Sequence, residues 1–229
     1  MTTKLTWLSH GSWLIETAGH RVLLDPFFTD NPAAIVTADS LDNISHILVS
    51  HGHFDHVADV ASIANRCQAT VVANFEVAHW FQSQHNVETV EMMNPGGEIS
   101  LPFGKVKMVQ AIHSSGLPDG SYGGNPAGFV VAFNDQQRIY FACDTALFSD
   151  MRLFAHGVEL AVLPIGDRFT MGPSDSIEAI KLIEPRRVAP AHFSTWPPIE
   201  QDAEEWARNV KSQTSAEPVI LPIGGSIEL

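Results

Sequence analysis

The densest chemistry in the chain is His51-Gly52-His53-Phe54-Asp55-His56, three imidazoles and a carboxylate within six residues, directly behind the apolar stretch Ile47-Leu48-Val49. In an extended segment residues 51 and 53 point the same way, so two imidazoles can converge on one ion. Asp55 and His56 then turn toward a neighbouring point, and Gly52 lets the backbone come close. Neutral imidazole and carboxylate suit borderline divalent ions such as zinc, manganese or iron(II), with no thiolate needed. A solvated His-rich turn is the bland alternative, but such turns do not ordinarily carry an Asp at this spacing behind a buried strand.

Four residues cannot enclose two ions, so further ligands are expected at other strand ends. His113, Asp144 and His192 each follow an apolar run and precede a polar turn. Singly, each has an ordinary reading as a hydrogen-bonded loop residue or a cap. Their shared position at strand ends favours the joint functional reading.

These residues must be positioned by the elements around them. Strands are expected at 5–8, 13–15 and 22–24, joined by turns at His10-Gly11-Ser12 and Ala18-Gly19-His20, an antiparallel meander. An irregular loop over 27–43 follows. Strand–helix alternation then gives strands at 47–49 and 70–72 and helices at 57–67 and 76–84, the first helix with Val57, Val60, Ala61 and Ala64 on one face. Strands return at 98–101, 105–112, 128–133 and 138–142. The last third alternates again: helices at 150–155, 175–183 and 202–211, strands at 160–163 and 219–221, and an approach to His192 through Val188-Ala189. Asp175 with Glu178, and Asp202 with Glu205, have capping-box spacing. Two β-rich stretches, each followed by alternation, predict an α/β molecule of two similar halves: two mixed sheets packed together with helices outside, in one domain over 1–229.

Composition sets the outer bounds. Of 229 residues, 45% are hydrophobic and 17% charged, an ordinary globular balance, and thirteen Phe and five Trp are ample for a packed core. The net charge of −13 argues against nucleic acid as a partner, since phosphate-backbone binding needs clustered Lys and Arg. It leaves a small anionic substrate open, because a bound metal can dominate the local field. Cys67 and Cys143 suggest no disulfide framework. The start of the chain lacks a signal-peptide apolar region, and the longest apolar runs fall far short of the ~20 residues of a membrane span. The expectation is a cytoplasmic protein with a small-molecule substrate and no membrane partner.

His51-x-His53-x-Asp55-His56, followed in order by His113, Asp144 and His192, resembles the metallo-β-lactamase superfamily over nearly the whole chain. More closely, the chain is similar to a metal-dependent hydrolase branch related to ascorbate-6-phosphate lactonases. The supporting stretches are 9–15, 24–27, 113–115, 144–151 and 163–173. The resemblance implies an αββα four-layer sandwich with two metals at one edge of the paired sheets. By position, His51, His53 and His113 would bind the first ion, Asp55, His56 and His192 the second, with Asp144 bridging. It also implies a homo-oligomer. Two positions depart from the branch. Cys143 stands where Gly is usual, and on an extended strand it would point away from Asp144; Phe193 follows His192 where Tyr is common, which could remove a hydrogen bond to a metal ligand or a contact with substrate. Oxygen-reducing diiron members carry Glu at the second motif position, so His53 favours hydrolysis over redox chemistry.

The implied mechanism is attack by a metal-bridging hydroxide on an ester, lactone, amide or phosphoester, with Asp55 orienting the hydroxide as well as ligating. A phosphodiesterase or nuclease of the same fold, and a non-catalytic metal-binding protein, are the competing readings. The acidic balance weighs against the first and the complete ligand set against the second. His10, in the first turn, is the candidate for proton donation to the leaving group, with a turn-stabilising role as its alternative. Asp25 is expected to hydrogen-bond the motif loop. Arg168 either binds a substrate anion or pairs with Asp167. Loops 27–43, 114–127 and 167–174, through Phe27, Phe28, Tyr122, Asn125, Arg168 and Met171, are expected to shape the pocket. His46, His79, His85 and His156 are read as non-functional helix or loop residues.

Overall fold

The computed structural model describes residues 2–229. The first half opens with β1 (Lys4–Ser9), β2 (Ser12–Thr17) and β3 (His20–Leu24), an antiparallel meander as expected. It continues through β4 (His46–Leu48), α1 (Phe54–Val57), α2 (Val60–Cys67), β5 (Thr70–Asn74), α3 (Phe75–His85) and β6 (Val90–Met93), with β3, β4, β5 and β6 paired in parallel. The second half repeats the plan. β7 (Glu98–Leu101), β8 (Gly104–Gln110), β9 (Ala127–Phe133) and β10 (Arg138–Phe141) run antiparallel. α4 (Met151–Ala155), β11 (Leu160–Pro164), α5 (Pro173–Ile183), β12 (Arg187–Ala191), α6 (Ala203–Gln213) and β13 (Glu217–Pro218) extend that sheet in parallel. β14 (Ser226–Glu228) crosses back to pair antiparallel with β1. Each sheet therefore has seven strands, in the orders β14-β1-β2-β3-β4-β5-β6 and β13-β12-β11-β10-β9-β8-β7.

The period of two along each strand sorts the side chains into three apolar layers. Between the sheets lie Leu5, Trp7, Trp13, Ile15, Val22 and Leu24 from one and Val106, Met108, Phe129, Val131, Ile139 and Phe141 from the other. Their alternate neighbours Leu14, Leu23, Ile47 and Val71 face outward onto Val60, Ile63, Val77 and Phe81 of α2 and α3. On the opposite outer face, Val130, Tyr140, Ala161 and Leu163 meet Met151, Ile177, Ile180 and Trp206. Three cores between four layers make the αββα sandwich. Among the described residues no helix is long and apolar enough to cross a membrane.

Local chemistry explains the boundaries. Asn74 caps α3 by accepting from the Val77 N–H at 2.8 Å, and Asp202 caps α6 by accepting from the Glu205 N–H at 2.9 Å, the cap its spacing predicts. The other proposed cap, Asp175, is instead inside α5: Pro173 occupies the first turn, where its missing N–H costs nothing, and Gly172 takes the cap position. The expected strand at 219–221 is not formed; only the Val219 N–H reaches the sheet, at the Val188 carbonyl, and the short β13 and β14 flank it. β6 is not among the expected strands, and the helix expected at 57–67 begins only at Val60 as α2, Val57 closing the separate turn α1. His46 belongs to β4 and is buried, not in a surface loop.

Candidate metal centre and pocket

The candidate ligands lie where strands end, along one edge of the sandwich. His51 and His53 follow β4, Asp55 and His56 fall in the single turn α1, and His113, Asp144 and His192 follow β8, β10 and β12. The edges of the two sheets are tied together there. The His192 N–H donates to the His10 carbonyl at 3.0 Å, and the Ala127 N–H to the Ser50 carbonyl at 3.0 Å. The motif loop is held closely: the Gly52 N–H donates to Ser115 Oγ at 3.0 Å, and a Cβ at Gly52 would sit 3.0 Å from the Leu117 side chain, which would have to shift to admit it.

All seven candidates converge. His51 Nε2 and His53 Nδ1 are 2.9 Å apart, and His53 Nδ1 is 3.3 Å from His113 Nε2. Asp144 Oδ2 stands 3.9 Å from His51 Nε2, 3.5 Å from His56 Nε2, 3.5 Å from His113 Nε2 and 3.1 Å from His192 Nε2. Asp55 Oδ2 lies 3.7 Å from His56 Nε2 and 3.6 Å from His192 Nε2. Donor atoms of His51, His53 and His113 form one group within 4.8 Å of one another. Those of Asp55, His56 and His192, with His10, form a second, and Asp144 groups with His51 and His56.

The donor set fits a divalent cation. His56 Nε2, Asp144 Oδ1 and His192 Nε2 are buried and without a hydrogen-bond partner, a costly condition that a coordinated ion removes. Burial, then the charge of His56, holds His51 well below the usual imidazole range; burial also lowers His53 and His113, leaving them in the neutral form that ligates. Burial raises the carboxyls of Asp144 and Asp55, but the surrounding imidazoles overcome it and hold both well below the usual range. Burial likewise opposes a charge on His56 and His192, yet Asp144 and its neighbours push His56 well up and His192 to about 9.

Asp25 performs its expected role. Its carboxylate accepts from the Ser50 N–H at 2.8 Å and Ser50 Oγ at 2.6 Å, and its Oδ2 meets His56 Nδ1 at 2.9 Å. His10 does not stand where a proton donor to substrate would. It is buried behind Asp55, with Nε2 3.0 Å from Asp55 Oδ2 and Nδ1 2.8 Å from Thr195 Oγ1. Burial, then the charge of His192, lowers its pKa to about 3, so the ring is neutral at pH 7. The ionised Asp55 can only accept, so Nε2 carries the proton and Nδ1 accepts from the Thr195 hydroxyl. The geometry makes His10 the residue that orients Asp55.

A cavity of about 700 Å3 opens over the cluster. Its floor is His53, Asp55, His113, Asp144 and His192; Ser114, Phe54, Trp196, Ile199, Arg168 and Phe169 form the walls. Of the six pocket residues expected from sequence, only Arg168 is on this wall. Phe27, Phe28 and Met171 are buried in the protein, while Tyr122 and Asn125 are elsewhere on the surface. Trp196 and Ile199 went unnoticed because the loop carrying them turns back only after left-handed residues at His192 and Ser194. Phe193 stacks on Trp7 at 5.4 Å and packs against the inter-sheet core, so it does not face the cavity and a tyrosine hydroxyl there would not reach substrate. Cys143 is left-handed (φ 54°), not extended as expected. This is a conformation glycine adopts freely, yet Asp144 still reaches the centre of the cluster.

Comparison with known proteins agrees with this geometry. Residues 20–193 match the model of the beta-lactamase superfamily domain. A UPF0173 metal-dependent hydrolase of Pelotomaculum thermopropionicum is 42% identical over 232 residues, covering 99% of this chain and all of the relative. One from Methanopyrus kandleri is 43% identical over 231 residues, covering 98% of this chain and 99% of the relative. Among solved structures, a novel metallo hydrolase from Ignicoccus hospitalis superposes with a TM-score of 0.89 at 28% identity, covering 100% of this chain and 99% of that one. The narrower kinship with ascorbate-6-phosphate lactonases stays an expectation of the sequence. The chain belongs to the metallo-β-lactamase superfamily, within its UPF0173 family of metal-dependent hydrolases.

Proposed function

We propose that the protein is a dinuclear hydrolase that cleaves a small ester, lactone, amide or phosphoester. The observation that carries this reading is the position of Asp144: one carboxylate oxygen lies within 3.9 Å of ring nitrogens from His51, His56, His113 and His192. His51, His53 and His113 would hold one ion, Asp55, His56 and His192 the other, and Asp144 would touch both. Bound there, two divalent ions, zinc or alternatively manganese or iron(II), would supply a hydroxide at neutral pH and polarise the electrophilic centre.

The chain's own residues do the rest. The Thr195–His10–Asp55 chain of hydrogen bonds fixes the Asp55 carboxylate in the cavity floor, and Asp25 fixes His56 from behind. Ser114 Oγ, on the cavity wall 3.3 Å from His53 Nε2, offers a hydroxyl to a substrate oxygen. Phe54 and Trp196 exclude water from one side and strengthen every polar contact on the floor.

The test is elemental analysis of purified protein followed by a screen of lactones, esters, thioesters and phosphodiesters. Two equivalents of metal are expected, with hydrolysis abolished by chelation and restored by zinc or manganese. A single equivalent after reconstitution overturns the dinuclear reading. Turnover confined to phosphodiesters replaces it with a phosphodiesterase of the same fold.

A further inference from the structure

We propose that Arg168 makes the cavity selective for substrates carrying a carboxylate or phosphate beside an apolar, ring-sized body. This rests on the hydrolase reading of the same cavity and adds the class of molecule that enters it.

Arg168 is the one lysine or arginine on the cavity wall. Six of the eight arginines, at 21, 66, 138, 186, 187 and 208, engage a carboxylate or a backbone carbonyl through the guanidinium. Arg168 engages neither among the described residues. Its neighbour Asp167 does not neutralise it. That carboxylate accepts the Arg168 backbone N–H at 2.8 Å and lies against Gly172, where an added Cβ would come within 3.1 Å. In a chain of net charge −13, a guanidinium left unpaired beside a cavity is available to an incoming anion.

The loop presents that guanidinium in a defined way. Asp167 and Arg168 are both left-handed (φ 61° and 49°), a conformation that costs ~1–2 kcal/mol per non-glycine residue. The Thr170 N–H closes the turn on the Asp167 carbonyl at 3.1 Å. The Met171 N–H donates to the Thr145 carbonyl at 2.9 Å, which ties the loop to the residue after Asp144. The guanidinium carbon lies 5.5 Å from the centre of the Phe169 ring, which supports its flat face and leaves N–H edges for a two-point contact with an oxyanion.

The remaining walls set the body of the molecule. Phe54, Trp196, Ile199 and Phe169 are apolar, and Phe54 and Trp196 have ring centres 6.0 Å apart. An acid group held at Arg168 on the wall, with the apolar body against these side chains, leaves the scissile bond facing the floor around Asp144. A neutral substrate lacks that orientation.

The experiment uses the full-length, metal-loaded protein with phenyl acetate and its 4-carboxy and 4-phosphonooxy derivatives. The wild type is expected to favour a charged ester over the neutral one by about tenfold or more in kcat/KM. Arg168→Ala should collapse that ratio through KM, and Arg168→Lys should retain part of it. The carboxylate and phosphate arms show which oxyanion is preferred. A wild type without preference, or a preference that survives Arg168→Ala, overturns the proposal. Failure of the hydrolase reading is visible separately, as no turnover of any ester. In that case benzoate and phenyl phosphate are titrated against benzyl alcohol by calorimetry. A roughly tenfold loss of anion affinity in Arg168→Ala supports the proposal, and equal affinities in the two proteins overturn it.

Discussion

In the first half of the chain, imidazoles at the site have a partner behind them. His51 Nδ1 meets Ser50 Oγ at 2.9 Å, His56 Nδ1 meets Asp25 Oδ2 at 2.9 Å, and His10 Nδ1 meets Thr195 Oγ1 at 2.8 Å. In the second half, His192 Nδ1 is buried and meets nothing. There the backbone does the aiming: His192 is itself left-handed (φ 52°), and so is Cys143 (φ 54°) immediately before Asp144. The halves share one strand plan, yet His51 and His56 are oriented by side-chain hydrogen bonds while Asp144 and His192 are aimed by left-handed turns; the left-handed residues of the first half, Ser9, His10 and Asp25, lie at supporting positions and not at these ligands. The first device tolerates backbone variation but fails when a supporting side chain is lost. The second needs no supporting side chain but fails when the turn is crowded.

The largest test concerns the residue where the halves meet. Asp144→Asn should lower metal content at both groups and reduce hydrolysis by on the order of 10³-fold, because the shared carboxylate is the electrostatic centre of the cluster. His53→Ala should cost one group only. Elemental analysis of the two variants separates these outcomes, and equal losses would erase the distinction between shared and local ligands.

Next in size is an acid response at the opposite edge, where the first half places His46 in β4 against Phe103, ring centres 5.1 Å apart, and His20. Burial, then the charge of His20, lowers its pKa to about 4. The unfolded chain takes up a proton near pH 6.5 and the folded chain does so only near 4. Stability is therefore greatest above pH 6.5 and falls as pH drops through this window, by about 3 kcal/mol at most. Denaturant titrations of metal-loaded protein should show the slope, and His46→Phe should flatten it. An unchanged slope would mean that this edge carries no such charge cost.

Asp25→Ala removes the support behind His56 and Ser50, and should weaken metal binding by ~10–100-fold in competition with a chelator. The matching change in the second half is Gly166→Ala, since a methyl there would overlap the His192 carbonyl. Moving that turn should cost ~1–3 kcal/mol of stability and a smaller loss of metal affinity. If Gly166→Ala leaves metal affinity at the wild-type value while the fold is destabilised, His192 is not held by its turn.

The same contrast explains what could be read before the structure. The motif at 51–56 is compact, and Asp25 ends a strand parallel to the one that precedes it, so local pattern sufficed for both. His113, Asp144 and His192 were visible only through their common place after apolar runs. The cavity walls were not legible. Trp196 and Ile199 reach the site through left-handed turns at His192 and Ser194, and non-glycine side chains give no signal for that conformation. His10 was found but misassigned, because spacing cannot reveal that Asp55 and Thr195 occupy both of its nitrogens. Val219-Ile220-Leu221 has the composition of a strand but lies at a sheet margin with too few backbone partners to form one.

The candidate ligands come from both sheets: four lie between β4 and α2, and three follow β8, β10 and β12. An ion gripped in this way is a rivet as well as a reagent, because neither sheet can peel from the other without surrendering it. The gain in folding free energy grows with the logarithm of free metal, about 4 kcal/mol at a thousand times the dissociation constant. The melting temperature of this protein should therefore read out metal supply directly, before any substrate is in hand.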